Sequence, residues 1–173
     1  MNPVSVRLNP VSKSDYVRFV EEQIREFASQ KVRAGHWRQD EAMALSRHAV
    51  EGFLPAEGPR PGHVVWSVLD PSGSRVGWIW VGPPPVKTLD VPAKRWLYQI
   101  TVEPSARGKG VGRAALAAAE ATLAREGVRE LYLNVFRWNT IARSLYDSAG
   151  YEVVHDGDSD TGMKKMLGGE ARA

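Results

Sequence analysis

Six residues, Arg107-Gly108-Lys109-Gly110-Val111-Gly112, constrain this chain more than any other stretch. They lie between a β-branched and aromatic run, Trp96–Val102, and an alanine-rich run that continues to about Ala124. Pro104 has no N–H to give a ladder and ends the strand. Glycine at alternate positions leaves backbone N–H groups uncovered by side chains. A helix starting near Gly110 points its first-turn N–H groups outward, with the positive end of the helix dipole behind them. Arg107 and Lys109 add full charges. The expectation is a site for a phosphate or pyrophosphate. Two better-known phosphate motifs fail on spacing. A P-loop needs glycine at Glu103 and Ser or Thr after the lysine, where Gly110 stands. A dinucleotide fingerprint needs glycine at Arg113.

The residues match the acyl-coenzyme A signature Gln/Arg-x-x-Gly-x-Gly/Ala, and a second stretch supports it. Asn139-Thr-Ile-Ala142-Arg143-Ser-Leu145-Tyr146-Asp-Ser-Ala-Gly150-Tyr151 looks like Asn-x-x-Ala-x-x-Leu-Tyr-x-x-x-Gly-Phe/Tyr. With both motifs the chain resembles the Gcn5-related N-acetyltransferase (GNAT) family from about Val4 to Leu167. The expected organisation is therefore a single N-acetyltransferase domain over residues 1–173, with a core of about 4–167.

Read in order, the hydrophobic periodicity predicts strand 4–8, helix 15–32 capped by Ser12 or Ser14, and helix 40–53 capped by Asp40. Strands 63–70 and 75–82 form a hairpin across Pro71-Ser-Gly-Ser74. A proline-rich connection spans 83–94. Strand 96–102, the glycine loop and the alanine helix follow. Strand 129–136 then completes a crossover that favours parallel pairing. Helix 140–149 is capped by Asn139, and strands 151–155 and 163–167 flank a polar turn at 156–162. The order β-α-α-β-β-β-α-β-α-β-β is mixed α/β and matches the GNAT-like acyl-coenzyme A N-acyltransferase fold. In that fold the two central parallel strands splay after a bulge in the first, which the resemblance puts near Ile100–Val102. Acyl-coenzyme A lies in the resulting V. Alternation places Trp96, Tyr98, Ile100 and Val102 on one face of the strand, and Leu97, Gln99 and Thr101 on the other.

The resemblance implies acetyl-coenzyme A (acetyl-CoA) as acyl donor and a small-molecule or peptide amine as acceptor. It assigns the coenzyme to Ile100, Thr101, Val102, Arg107, Gly108, Lys109, Gly110, Val111, Gly112, Asn139, Ala142 and Tyr146. Tyr146 is the expected catalytic residue, a general acid for the leaving thiolate. Trp37, Trp78, Trp80 and Gln99 are the expected acceptor-binding residues, since tryptophan faces attract cations. Relatives often carry a carboxylate on the strand before the glycine loop. Here Gln99 cannot take a proton and Glu103 stands where the strand ends, so the base stays open. Three readings follow. They are an N-acetyltransferase of small or peptide amines, a non-catalytic acyl-coenzyme A-sensing module, and an enzyme acylating a protein or ribosomal N-terminus.

Composition narrows the alternatives. No cysteine among 173 residues removes disulfides and a cysteine nucleophile, so acetyl transfer would be direct. Four scattered histidines show no metal-ligand spacing, and no metal site is expected. The charge of +3 does not call for nucleic acid. No apolar run of about eighteen residues and no signal core occur, so no membrane partner is expected and a cytoplasmic location is. The family often forms homodimers, and nothing in the sequence marks an interface for one.

Overall fold

The computed structural model describes residues 4–87 and 91–168. Seven strands form one mixed sheet in the order β1-β2-β3-β4-β5-β7-β6. They are β1 (Arg7–Pro10), β2 (Val64–Leu69), β3 (Arg75–Gly82), β4 (Lys94–Val102), β5 (Glu130–Phe136), β6 (Glu152–Asp156) and β7 (Asp160–Met166). The helices are α1 (Lys13–Arg33), α2 (Ala42–Phe53), α3 (Val111–Arg125) and α4 (Thr140–Ser148). The mixed α/β order expected from the sequence is the observed one. Thr88, Leu89 and Asp90 of the proline-rich connection, and the last five residues of the tail, lie outside the described residues.

The chain divides into two units, residues 1–10 with 66–173, and residues 11–65. In the second, Ser12 caps α1 by accepting from the Asp15 N–H. The inward stripe Tyr16, Phe19, Val20, Ile24 and Ala28 is buried. Ser46 of α2 is fully buried and donates its hydroxyl to the Ile24 carbonyl at 2.6 Å, joining the two helices. Arg47 bridges Glu21 and Glu51 at 2.9 and 3.0 Å. Asp40 does not cap α2; it pairs with Arg38 at 2.9 Å, and α2 starts at Ala42 with no side-chain cap.

In the first unit, β3 pairs antiparallel with β4, and β4 pairs parallel with β5. Leu97, Leu131 and Leu133 of the central strands are buried, as are Leu116 and Leu123 of α3 and Met163 of β7. The expected crossover is present, since α3 connects the parallel pair. β7 starts at Asp160 rather than Met163, because Thr161 and Gly162 pair with Val135 and Asn134 of β5. The polar turn shrinks to residues 157–159.

Two features of β4 depart from the expectation. Trp80 lies opposite Gln99 while Val81 lies opposite Leu97, so Tyr98 is the extra residue of a β-bulge. The bulge is thus not at Ile100–Val102 but just before it. It also resets the alternation. Residues directly opposite one another share a face. Gln99 and Thr101 therefore lie with Trp80 and Trp78, and Tyr98 stacks on Trp80 with centroids 4.4 Å apart. Ile100 and Val102 move to the face of Leu97. The ladder between β4 and β5 runs only from Lys94↔Glu130 to Leu97↔Leu133. Beyond it Asn134, Val135 and Phe136 pair with β7 alone. The strands part where the bulge sits, leaving an open V bounded by residues 98–102 and 134–136.

Candidate acyl-coenzyme A site

A 3₁₀ turn, Pro104–Ala106, joins β4 to the glycine loop. Gly108 and Gly110 have φ of 71° and 82°, in the left-handed region where glycine pays no steric penalty. Gly110 is the N-cap of α3 and offers no side chain to its first turn. The first bond into the helix is donated by the Ala114 N–H to the Gly110 carbonyl at 3.1 Å. Among the described residues, no N–H from Gly108 to Arg113 meets a backbone or side-chain acceptor. These adjacent donors, at the positive end of a fifteen-residue helix, form a concave anion cradle.

The cations of the loop are turned onto its own carbonyls. Arg107 Nε donates to the Val102 carbonyl at 2.9 Å, and Lys109 Nζ to the Ser105 carbonyl at 2.8 Å. Both therefore brace the loop while keeping their charge within it. Arg113, which the motif reading did not include, adds a third cation on the first turn of α3 and donates to Ser148 Oγ of α4 at 2.8 Å. Val111 is buried under the loop. A Cβ on Gly112 would lie 3.6 Å from both Val102 and Leu145, so the strand, α3 and α4 meet at that point.

α4 brings the second motif to the same side of the sheet. Asn139 caps it, its Oδ1 accepting from the Ala142 N–H at 3.2 Å, which leaves the amide NH₂ to donate elsewhere. Ala142 is half-buried in the first turn. Tyr146 is 7% exposed, and burial pushes its phenol well above the ordinary pKa. Its ring stands edge-on to Tyr151 with centroids 5.6 Å apart. Tyr151 in turn donates to Glu120 of α3 at 2.9 Å, and Glu120 also holds Lys165 of β7 at 2.6 Å. Tyr151 and Glu120 were not singled out from sequence as site residues. Tyr151 closes the second motif, whereas Glu120 reads as one acidic residue in an alanine helix.

The expected acceptor residues are placed unequally. Gln99 and Thr101 are half-buried at the mouth of the V, with Gln99 Nε2 donating to Thr101 Oγ1 at 3.1 Å. Trp78 and Trp80 are buried, at 1% and 5% exposure, and do not offer open faces. The Arg75 guanidinium covers the Trp78 ring at 3.8 Å, and Tyr98 covers Trp80. Trp37 belongs to the other unit, edge-on to Phe27 at 5.2 Å with Lys31 Nζ 5.8 Å from its centroid. Glu103 is held by Arg75 at 2.5 Å and is not poised as a base.

The profile of the Acetyltransferase (GNAT) family matches residues 19–151. The chain belongs to the GNAT acetyltransferase family. Among proteins similar to this GNAT chain, the N-acetyltransferase YycN of Bacillus subtilis is 29% identical over 164 residues, covering 95% of this chain and 100% of YycN. The YycN crystal structure superposes with a TM-score of 0.81, covering 90% of this chain and 97% of that one. The N-acetyltransferase YdgE of the same organism is 27% identical over 148 residues, covering 86% and 92% of the two chains. PaiA N-acetyltransferase of Thermoplasma acidophilum, solved with coenzyme A, shares the fold at a TM-score of 0.66 and 18% identity, covering 94% and 99%. As a GNAT member the chain is an N-acetyltransferase, and acetyl-CoA is the donor of its family. No helix among the described residues is long and apolar enough to cross a membrane.

Proposed function

We propose that the chain is a single GNAT domain transferring an acetyl group from acetyl-CoA directly to a primary amine of a small molecule or peptide. The observation that carries this is the row of unpartnered N–H groups from Gly108 to Arg113 beside the V. The family profile spans residues of both units, which supports one domain. Cytoplasmic action is part of the same proposal, checked by fractionating cells that express the chain.

Acetyl-CoA supplies the thioester and, through its diphosphate, an anion that suits the cradle. Gly108–Gly112, with Arg107, Lys109 and Arg113 around them, hold that anion. Asn139 offers its free NH₂, and Ala142 leaves room for a coenzyme arm against α4. The free backbone edge of Ile100, Thr101 and Val102 offers donors to that arm and to charge developing on the acyl oxygen. In the overall reaction an N–C bond forms, a C–S bond breaks, and the amine's proton ends on sulfur. Tyr146 assists that last step. A buried phenol with a raised pKa stays protonated at neutral pH, so a hydrogen bond to the departing sulfur is always on offer. Full transfer to a thiolate whose acid has a pKa of about 8.5 is uphill, so Tyr146 stabilises the sulfur rather than giving its proton away outright.

Calorimetric titration with acetyl-CoA, followed by thiol release across a panel of primary amines, tests this reading. Micromolar binding with amine-dependent thiol release is expected. No binding up to millimolar acetyl-CoA overturns it. Binding without release for any amine turns the assignment to an acyl-coenzyme A sensor, which nothing in the geometry favours.

A further inference from the structure

The faces of β4 divide the work of the site. The cradle, α3 and α4 lie on the side of Val102, so Tyr146 and the leaving sulfur belong there. The opposite face at the V carries Gln99, Thr101, Tyr98 and Trp80. An acceptor attacking a thioester held in the gap comes from that second face, against the departing sulfur.

What this face offers an amine is neutral. Gln99 Nε2 donates to Thr101 Oγ1, which leaves Gln99 Oε1 as the acceptor end of the amide. Among the described residues, the carboxylates of β5 and α3 and the one at the end of β4 are all partnered. Glu103 is paired with Arg75, whose guanidinium is stacked on Trp78. Glu120 is held by Tyr151 and Lys165. Glu130 accepts from the Tyr132 hydroxyl, with Lys94 Nζ at 3.9 Å. An ammonium losing its water here meets no charge in return, and its cost is high. A neutral amine can donate one N–H to Gln99 Oε1 and keep its lone pair for the acyl carbon.

We infer that Gln99, oriented by Thr101, receives the acceptor as a neutral amine, so that the enzyme selects weakly basic primary amines such as peptide α-amines over lysine-type side chains. This rests on the acetyltransferase reading above. An α-amine has a pKa of about 8 and a lysine side chain about 10.4, so at pH 7.5 the neutral fractions differ roughly two-hundredfold.

The test is kcat/KM against pH, from 6.5 to 10.5, for dialanine amide and for Nα-acetyl-lysine amide as acceptors. The expected result is an acidic limb whose midpoint follows the acceptor, near 8 for the first and above 10 for the second. A midpoint shared by both acceptors assigns the limb to a group of the enzyme and overturns the inference. So does an enzyme that binds acetyl-CoA but uses neither amine at pH 9.5, whereas loss of acetyl-CoA binding overturns the acetyltransferase reading instead. Gln99→Glu places a charge where the amide stands. It is expected to raise kcat/KM for the lysine probe at pH 7.5 at least tenfold, and an unchanged value counts against the role of Gln99. Thr101→Val is expected to lower kcat/KM for dialanine amide about tenfold with its midpoint unmoved, and Thr101→Ser to restore it. A serine variant as poor as the valine one removes Thr101 from the proposal.

Discussion

At the scale of single residues, Tyr146 and Gly77 each give the proposed site a direct test. Tyr146→Phe removes one oxygen from a buried ring whose edge-on partner Tyr151 is unaffected. The expected outcome is a kcat lowered by about 10²-fold, the low end of what a positioned proton donor contributes. The acetyl-CoA dissociation constant should change less than threefold in calorimetry. Equal losses in kcat and affinity would return Tyr146 to a packing role. Gly77 is the second. A Cβ there would lie 2.2 Å from the Thr101 carbonyl oxygen, a backbone atom that cannot swing away. Gly77→Ala therefore forces β3 and β4 apart beside Gln99 and Thr101. The expected cost is about 2 kcal/mol, the middle of the range for overpacking. A melting temperature lower by roughly 4–8 °C is the readout for a chain of this size.

At the scale of elements, the proposal gives one side chain of α4 two roles. The helix has only nine residues, so its cap matters, and Asn139 supplies it. Asn139→Ala should cost about 1 kcal/mol in chemical denaturation. Asn139→Asp keeps an oxygen for the Ala142 N–H and should retain that stability. It loses the NH₂ and adds a negative charge near an anionic ligand, so acetyl-CoA affinity is expected to fall at least fivefold. Titration and denaturation of the two variants separate the roles. The same helix was legible in the sequence because its cap, its terminal Gly150 and its Leu-Tyr pair are local signals. β2, β3 and β5 were legible for the same reason, since alternation is written within each strand. The bulge at Tyr98 was not, because an extra residue in one strand is defined only against its partner, and Val81↔Leu97 cannot be read from β4 alone. The burial of Trp78 and Trp80 was hidden likewise. Tryptophan serves a core or a ligand equally well, and only the positions of Arg75 and Tyr98 decide. Arg113 and Glu120 were missed because their partners, Ser148, Tyr151 and Lys165, are more than thirty residues away in each case.

At the scale of the molecule, one histidine gives stability a slope in pH. His63, against Phe53 at 5.1 Å, has its pKa lowered to about 4 by burial, below the ordinary 6.5. The folded chain thus stays unprotonated there while the unfolded chain takes up a proton. Stability is full above pH 6.5 and falls as the pH drops towards 4, by about 1–2 kcal/mol once solvent access is discounted. His63→Gln should flatten that part of the curve in urea denaturation at pH 7 and pH 5. The bulge has a consequence that reaches beyond this chain. Deleting Tyr98 would return β4 to a regular ladder with Leu97 still opposite Val81 and Gln99 still opposite Trp80, so Gln99 and Thr101 would keep their face. One insertion or deletion at the bulge is therefore absorbed without turning the binding strand inside out. Among relatives that differ in this way, acceptor-side positions correspond when counted back from the glycine loop, not forward from the start of the strand.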